Sequence, residues 1–144
     1  MICPDINLLL YATFPAFQQH VKSKAWWDAV LSGPEHVRLG VVVVLGFIRI
    51  STNQKIFSPP LTMEQSIGVV DDWLQQPNVK MISPLENHWD NLKNMLRSGH
   101  AGSNLTTDAH IAALAADYGL TVYTNDTDFA RFPATAFCNP LAKL

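Results

Sequence analysis

Cysteine is nearly absent from this chain. Cys3 and Cys138 are the only two, they form no CxxC, and two thiols cannot build a disulfide framework. That usage fits a cytoplasmic protein with both thiols reduced. Long hydrophobic runs are missing too. The longest, residues 39–48, falls well short of the roughly 20 residues a membrane span needs. Pro4 and Asp5 stand where a signal peptide would carry its basic segment, so none is expected. Charged residues make up only 15% of the chain, and the formal net charge is −2. Nothing global therefore pulls the protein toward a polyanion; composition neither suggests nor excludes a nucleic acid, which would have to be gripped by local cations or a metal. The five histidines show no i, i+4 pair and no Cys/His spacing, which argues against zinc. GxSxG, the P-loop and GxGxxG are all absent.

What is present is 144 residues, 48% of them hydrophobic, with no repeat and no low-complexity segment. That is the length of one domain, 1–144, able to bury a real core. Residues 2–5 read as a minimal strand ending in DIN, and residues 7–12 as a helical turn broken at Phe14-Pro15. A longer helix is expected over residues 16–31, closed by Gly33-Pro34. It holds Trp26 and Trp27, which point about 100° apart on a helix. One indole should therefore reach a neighbouring element or a partner chain, with burial by the protein's own second helix as the equal alternative. VRLGVVVVLGFIRI, residues 37–50, is ambiguous: four valines argue strand, whereas the segment from Leu45 can continue as helix. Two capping boxes, Thr62–Gln65 and Ser83–Glu86, open helices expected to run to about Leu74 and over residues 86–97. Between them residues 79–82 form a short strand, and residues 136–138 form the last one. The order of elements implies an α/β fold, a mostly parallel sheet wrapped by helices on both faces.

Chemistry concentrates in residues 104–131, NLTTDAHIAALAADYGLTVYTNDTDFAR. Ile111, Ala112, Leu114, Ala115 and Tyr118 recur at helical spacing, Thr106 is a candidate N-cap, and Gly119 suits a left-handed C′ position. A strand over 120–123 follows, then a turn rich in carboxylates. Asp108 thus falls in a helix's first turn, and Asp126 and Asp128 just past a strand's carboxyl end, where open α/β sheets bind ligands. Each aspartate alone has a structural explanation as cap, turn former or dipole partner. Together with Asp5, at the end of the first strand, they converge if the two strands are neighbours. Clustered carboxylates raise one another's pKa, and all-oxygen ligands suit Mg²⁺ or Mn²⁺. His110 lies about 200° round the helix from Asp108, so it is expected to face elsewhere. Lys55, Arg131 and Arg49 are the cations to consider for phosphate contact, with a solvated or structural charge as the favoured reading of each.

DIN near the N-terminus, then TTDAHIAALA, then TNDTDF, resemble the PIN-domain nucleases, and most of all the VapC-type toxins of bacterial toxin–antitoxin pairs. The resemblance spans nearly the whole chain, including LGFIRISTN and the closing NPL. It implies a Rossmann-like α/β/α sandwich with a short, mostly parallel central sheet. It also implies Mg²⁺- or Mn²⁺-dependent RNA cleavage, a cognate antitoxin and a homodimer. By matching positions, Asp5, Asp108 and Asp126 take the catalytic and metal places and Asp128 stands beside them, with Asn7 and Thr124 as supporting polar residues. Arg49 belongs to the supporting set. One departure stands out: Gly46 occupies the place where such nucleases carry a glutamate. That leaves open a catalytically weakened or inactive PIN-fold binding module. A phosphatase using Asp5 is disfavoured because residue 7 is asparagine, which breaks DxD. If the family sheet order holds, another strand separates those of Cys3 and Cys138, too far for a bridge.

Overall fold

The structure is a computed structural model and describes residues 1–142. In chain order it forms β1 (Ile2–Pro4), α1 (Ile6–Thr13), α2 (His20–Leu31), β2 (Val37–Gly40), α3 (Val41–Ser51) and α4 (Met63–Gln75). There follow β3 (Val79–Ile82), α5 (His88–Ser98), α6 (Thr106–Tyr118), β4 (Thr121–Tyr123) and β5 (Phe137–Cys138). The five strands make one sheet in the order β3-β2-β1-β4-β5, with every pairing parallel. Parallel neighbours demand crossovers, and the helices supply them. The order reverses between β1 and β4, where open sheets of this kind form their crevice.

The elements follow from local chemistry at most boundaries. Thr62 accepts from Gln65 N while the Gln65 side chain accepts from Thr62 N, a complete capping box that starts α4. Gly119 ends α6 at φ 66°, a left-handed conformation that costs a side-chain-bearing residue energy. Other boundaries differ from sequence expectation. The four valines are helix, not strand: β2 ends at Gly40 and Val41 opens α3. Val43, Val44 and Phe47 of this run are buried in α3, and that packing overrides β-branched propensity. The second helix begins at His20 rather than residue 16. The Ser83 capping box does not form. Helix α5 starts at His88 without a side-chain cap, and Asp117 of α6 instead accepts from Leu85 N. Thr106 is not a cap either: its hydroxyl donates to Ser103 O across a 3-10 turn at Ser103–Leu105.

An aromatic cluster in the core joins α2, α3 and α4. Trp27 is buried edge-on against Trp73 of α4, which in turn meets Phe47 of α3. Its neighbour Trp26 stacks on Tyr123 of β4, with 5.8 Å between ring centroids, so the second indole does reach another element. Cys3 and Cys138 are both free, with β4 between their strands. Burial, with the nearby Asp5 carboxylate, pushes the Cys3 thiol up to about 12, which makes it inert. Among the described residues no helix is long and apolar enough to cross a membrane.

Candidate active site

Strands β1 and β4 lie side by side with Pro4 opposite Tyr123, so the residues that follow each strand meet at one rim. Asp5 ends β1, its backbone N–H donating to Tyr123 O at 2.8 Å. It is also the N-cap of α1, its Oδ1 accepting from Ile6 N at 2.7 Å. Only 6% of Asp5 is exposed. Its Oδ2 accepts from the Thr124 hydroxyl at 2.7 Å, and the same hydroxyl oxygen accepts from Asp126 N at 2.9 Å. Thr124 thereby ties the end of β4 to the buried acid. Asp126 caps the 3-10 turn Thr127–Arg131 by accepting from Asp128 N at 2.8 Å. Asp108, in the first turn of α6, faces this turn.

The carboxylates of Asp108, Asp126 and Asp128 offer oxygens that all lie within 4.8 Å of one another. Asp5 is buried beside this trio rather than part of it, and its charge raises the pKa of Asp108. Burial is the largest cause of that rise, followed by Asp5, Asp126 and Asp128, and the Asp108 carboxyl is pushed up to about 7. Asp5 is also raised, first by burial and further by Asp126, against the lowering pull of its hydrogen bonds to Thr124 and Ile6. Among the described residues, Arg131 is the cation that opposes these effects at Asp108. A half-buried set of carboxylates with so little counter-charge fits a divalent cation bound by oxygen ligands.

The supporting residues divide. Thr124 is buried and bonded to both Asp5 and Asp126. Asn7, in the first turn of α1, keeps a buried Oδ1 with no hydrogen-bond partner among the described residues. Arg49 is exposed in the last turn of α3 and lines a groove with Gly46 and Thr107. Arg131 Nη1 donates to Gly99 O at 2.9 Å and so also holds the loop that feeds α6. In that loop His100 and Ser103 sit at positive φ, 48° and 57°. Lys55 is exposed in the turn after α3.

Two features of the structure leave no mark in the sequence. Asp117, with a fully buried side chain, accepts from His88 Nδ1 and Asn91 Nδ2 at 2.6 Å each, and His88 Nε2 shares a 3.0 Å hydrogen bond with His110 Nδ1. His110 thus faces α5, as its helical angle implied. Burial and the adjacent His88 hold its pKa below the usual imidazole value. Nothing in the spacing of these residues marks them, because the pairing joins two helices. The second is the approach of α1 to α3. A Cβ on Gly46 would stand 2.3 Å from Ile6 Cδ1. The place of the expected glutamate is filled by Ile6.

Known proteins resemble this chain along nearly its whole length. The PIN domain family matches residues 2–134. Ribonuclease VapC33 of Mycobacterium tuberculosis is 38% identical over 141 residues, covering 98% of this chain and 99% of its own. Ribonuclease VapC37 of the same organism is also 38% identical, covering 97% of each chain. The structure of a toxin–antitoxin complex from Klebsiella pneumoniae superposes with a TM-score of 0.65 at 16% identity, covering 97% of this chain and 98% of that one.

Proposed function

The chain belongs to the PIN-domain family, and from that premise we propose that it is a metal-dependent endoribonuclease, the toxin of a bacterial type II toxin–antitoxin pair. It acts as a single domain, 1–144, in the cytoplasm. The observation that carries the reading is the convergence of Asp108, Asp126 and Asp128 over the buried Asp5 at the β1/β4 switch point. Asp5, Asp108 and Asp126 are the catalytic acids; Asp108, Asp126 and Asp128 would hold Mg²⁺ or Mn²⁺ directly, and Asp5 would complete the set from its buried place beside them. When bound, such an ion supplies hydroxide from water and neutralises charge on the phosphodiester. Asp108 has to give up its proton to serve as a ligand. Thr124 fixes the Asp5 carboxylate by its 2.7 Å hydrogen bond, and Asn7 offers an oxygen from α1. Arg49 faces the RNA backbone. The identity to Ribonuclease VapC33 over nearly the whole of both chains supports RNA as substrate. The VapC resemblance likewise supports a cognate antitoxin and a homodimer as partners.

Cleavage of a mixed RNA pool by purified protein in Mg²⁺, Mn²⁺ or EDTA tests the reading. Asp5→Asn and Asp108→Asn are each expected to lose on the order of 100-fold or more in rate, since even outer-shell changes cost 10–100-fold. Their circular dichroism should match wild type. Full activity in either variant sinks the assignment. Gly46 favours a second reading, a PIN-fold binding module without chemistry. It predicts that calorimetry detects no Mg²⁺ or Mn²⁺ binding and that the RNA pool stays intact.

A further inference from the structure

A groove of about 220 Å³ opens beside the carboxylates, lined by Ile6, Val42, Leu45, Gly46, Arg49 and Thr107. Two of its walls are chain neighbours of the acids: Ile6 follows Asp5, and Thr107 precedes Asp108. Its floor exists because residue 46 has no side chain. With Ile6 Cδ1 2.3 Å from where a Cβ would stand, any other residue there would push Ile6 and reshape the space. The groove is apolar where Ile6, Val42 and Leu45 line it. Leu45 is 61% exposed, and Val41, one turn earlier on α3, is 38% exposed. At the end of this stripe stands Arg49, exposed and without an ion pair among the described residues. An uncovered apolar stripe that ends in a free cation, next to a cluster of opposite sign, is a pattern that calls for a ligand.

We propose that this groove is the subsite for the nucleoside next to the scissile phosphodiester, and that Arg49 takes the following phosphate. The inference rests on the ribonuclease reading of the carboxylates. Charge decides the occupant: a phosphodiester chain laid along α3 meets the guanidinium of Arg49 at the far end of the apolar wall, while its reacting phosphate sits at the acids. The ribose and base lie against Ile6, Val42 and Leu45. A base held in A-form duplex RNA is stacked and cannot enter, so the substrate is unpaired RNA. Thr107 and Arg49 are the only side chains in the groove able to hydrogen-bond a base. The subsite therefore reads shape and an unstacked base more than base identity.

The test measures single-stranded and duplex RNA oligonucleotides against wild type, Arg49→Gln, Val42→Phe, Leu45→Glu and Leu45→Lys. Binding is read by anisotropy in Ca²⁺ and cleavage by KM and kcat in Mn²⁺. Val42→Phe fills the groove and is expected to raise KM for single-stranded RNA about tenfold with little change in kcat or in Mn²⁺ affinity. Because Leu45 is exposed, its two variants keep the fold, and they should move the single-strand Kd in opposite directions, several-fold each. Arg49→Gln should lower the slope of log affinity against log salt by about 0.7, the loss of one phosphate contact on a single strand. Unmoved KM and Kd in Val42→Phe and in both Leu45 variants overturn the subsite and leave the groove to a polypeptide. Failure of the ribonuclease reading is distinguishable: wild type would then neither cut RNA nor bind Mn²⁺, while anisotropy still reports whether the groove variants alter RNA binding.

Discussion

Asp108 is the residue on which the chemistry and the stability of the site meet. Its folded-state pKa of about 7 lies above the ordinary carboxylate value of 3.8. As pH rises, the unfolded chain therefore loses this proton first. Stability is lost from about pH 4 upward and the loss is complete above about pH 7. For a half-exposed group, screening reduces the cost to on the order of 1 kcal/mol. In EDTA at pH 8, Asp108→Asn is expected to melt ~2–4 °C above wild type. At pH 4 the two should melt together, and differential scanning calorimetry at both pH values checks this. The same residue explains why the site is legible in the sequence: a carboxylate in a helix's first turn and another past a strand end are local patterns. Gly46 was readable as a departure, but that Ile6 fills its place was not, because Ile6 and Gly46 are 40 positions apart and meet only when α1 packs on α3.

At the level of elements, α3 and α5 show where local rules yield to packing. VVVV has strand propensity, yet it lies in α3 with Val43, Val44 and Phe47 buried. Propensity differences of a few tenths of a kcal/mol per residue are outweighed by the burial of such side chains, about 1.5–3 kcal/mol each. Ser83 had the right partner at the right spacing and still did not cap α5. The Asp117 carboxylate from α6 satisfies that end of the chain instead, together with His88 and Asn91. Asp117→Ala would take the acceptor from the buried His88 ring, the half-buried Asn91 amide and the exposed Leu85 N–H at the α5–α6 contact, and is expected to destabilise the fold by about 2 kcal/mol. The urea midpoint should fall with the m-value unchanged, and a shift under 1 kcal/mol would show that the network carries little. Thr62, by contrast, capped α4 as its sequence suggested, since both partners of its box lie within one turn.

For the molecule as a whole, the all-parallel order β3-β2-β1-β4-β5 does the decisive work. It brings residue 5 beside residue 124 and lets the turn at 126–128 face the first turn of α6. Carboxylates gathered without a matching cation are a standing cost to the fold, so a ligand that neutralises them stabilises the native state by mass action. Mn²⁺ at about 100 times its Kd should contribute ~2.7 kcal/mol. The melting temperature should rise with Mn²⁺ in wild type and fall back on adding EDTA. In Asp108→Asn the rise should shrink sharply, and an equal rise in both proteins would move the metal site elsewhere.

The sequence by itself determined the alternation of strands and helices, the capping box of α4, the left-handed Gly119 and the positions of the four aspartates. Each of these depends on groups a few residues apart, where backbone geometry leaves little choice. It also determined that Cys3 and Cys138 would not pair, once the family's sheet order was assumed. Tertiary structure decided which carboxylates form the trio and that Asp5 lies buried beside it, bound to Thr124. It decided too that Asp117 would hold α5, that Ile6 would fill the space at Gly46, and that a groove would open toward Arg49. These depend on contacts between residues tens of positions apart. Such contacts exist only after the sheet has set its strand order and the helices have packed, and no local pattern encodes them.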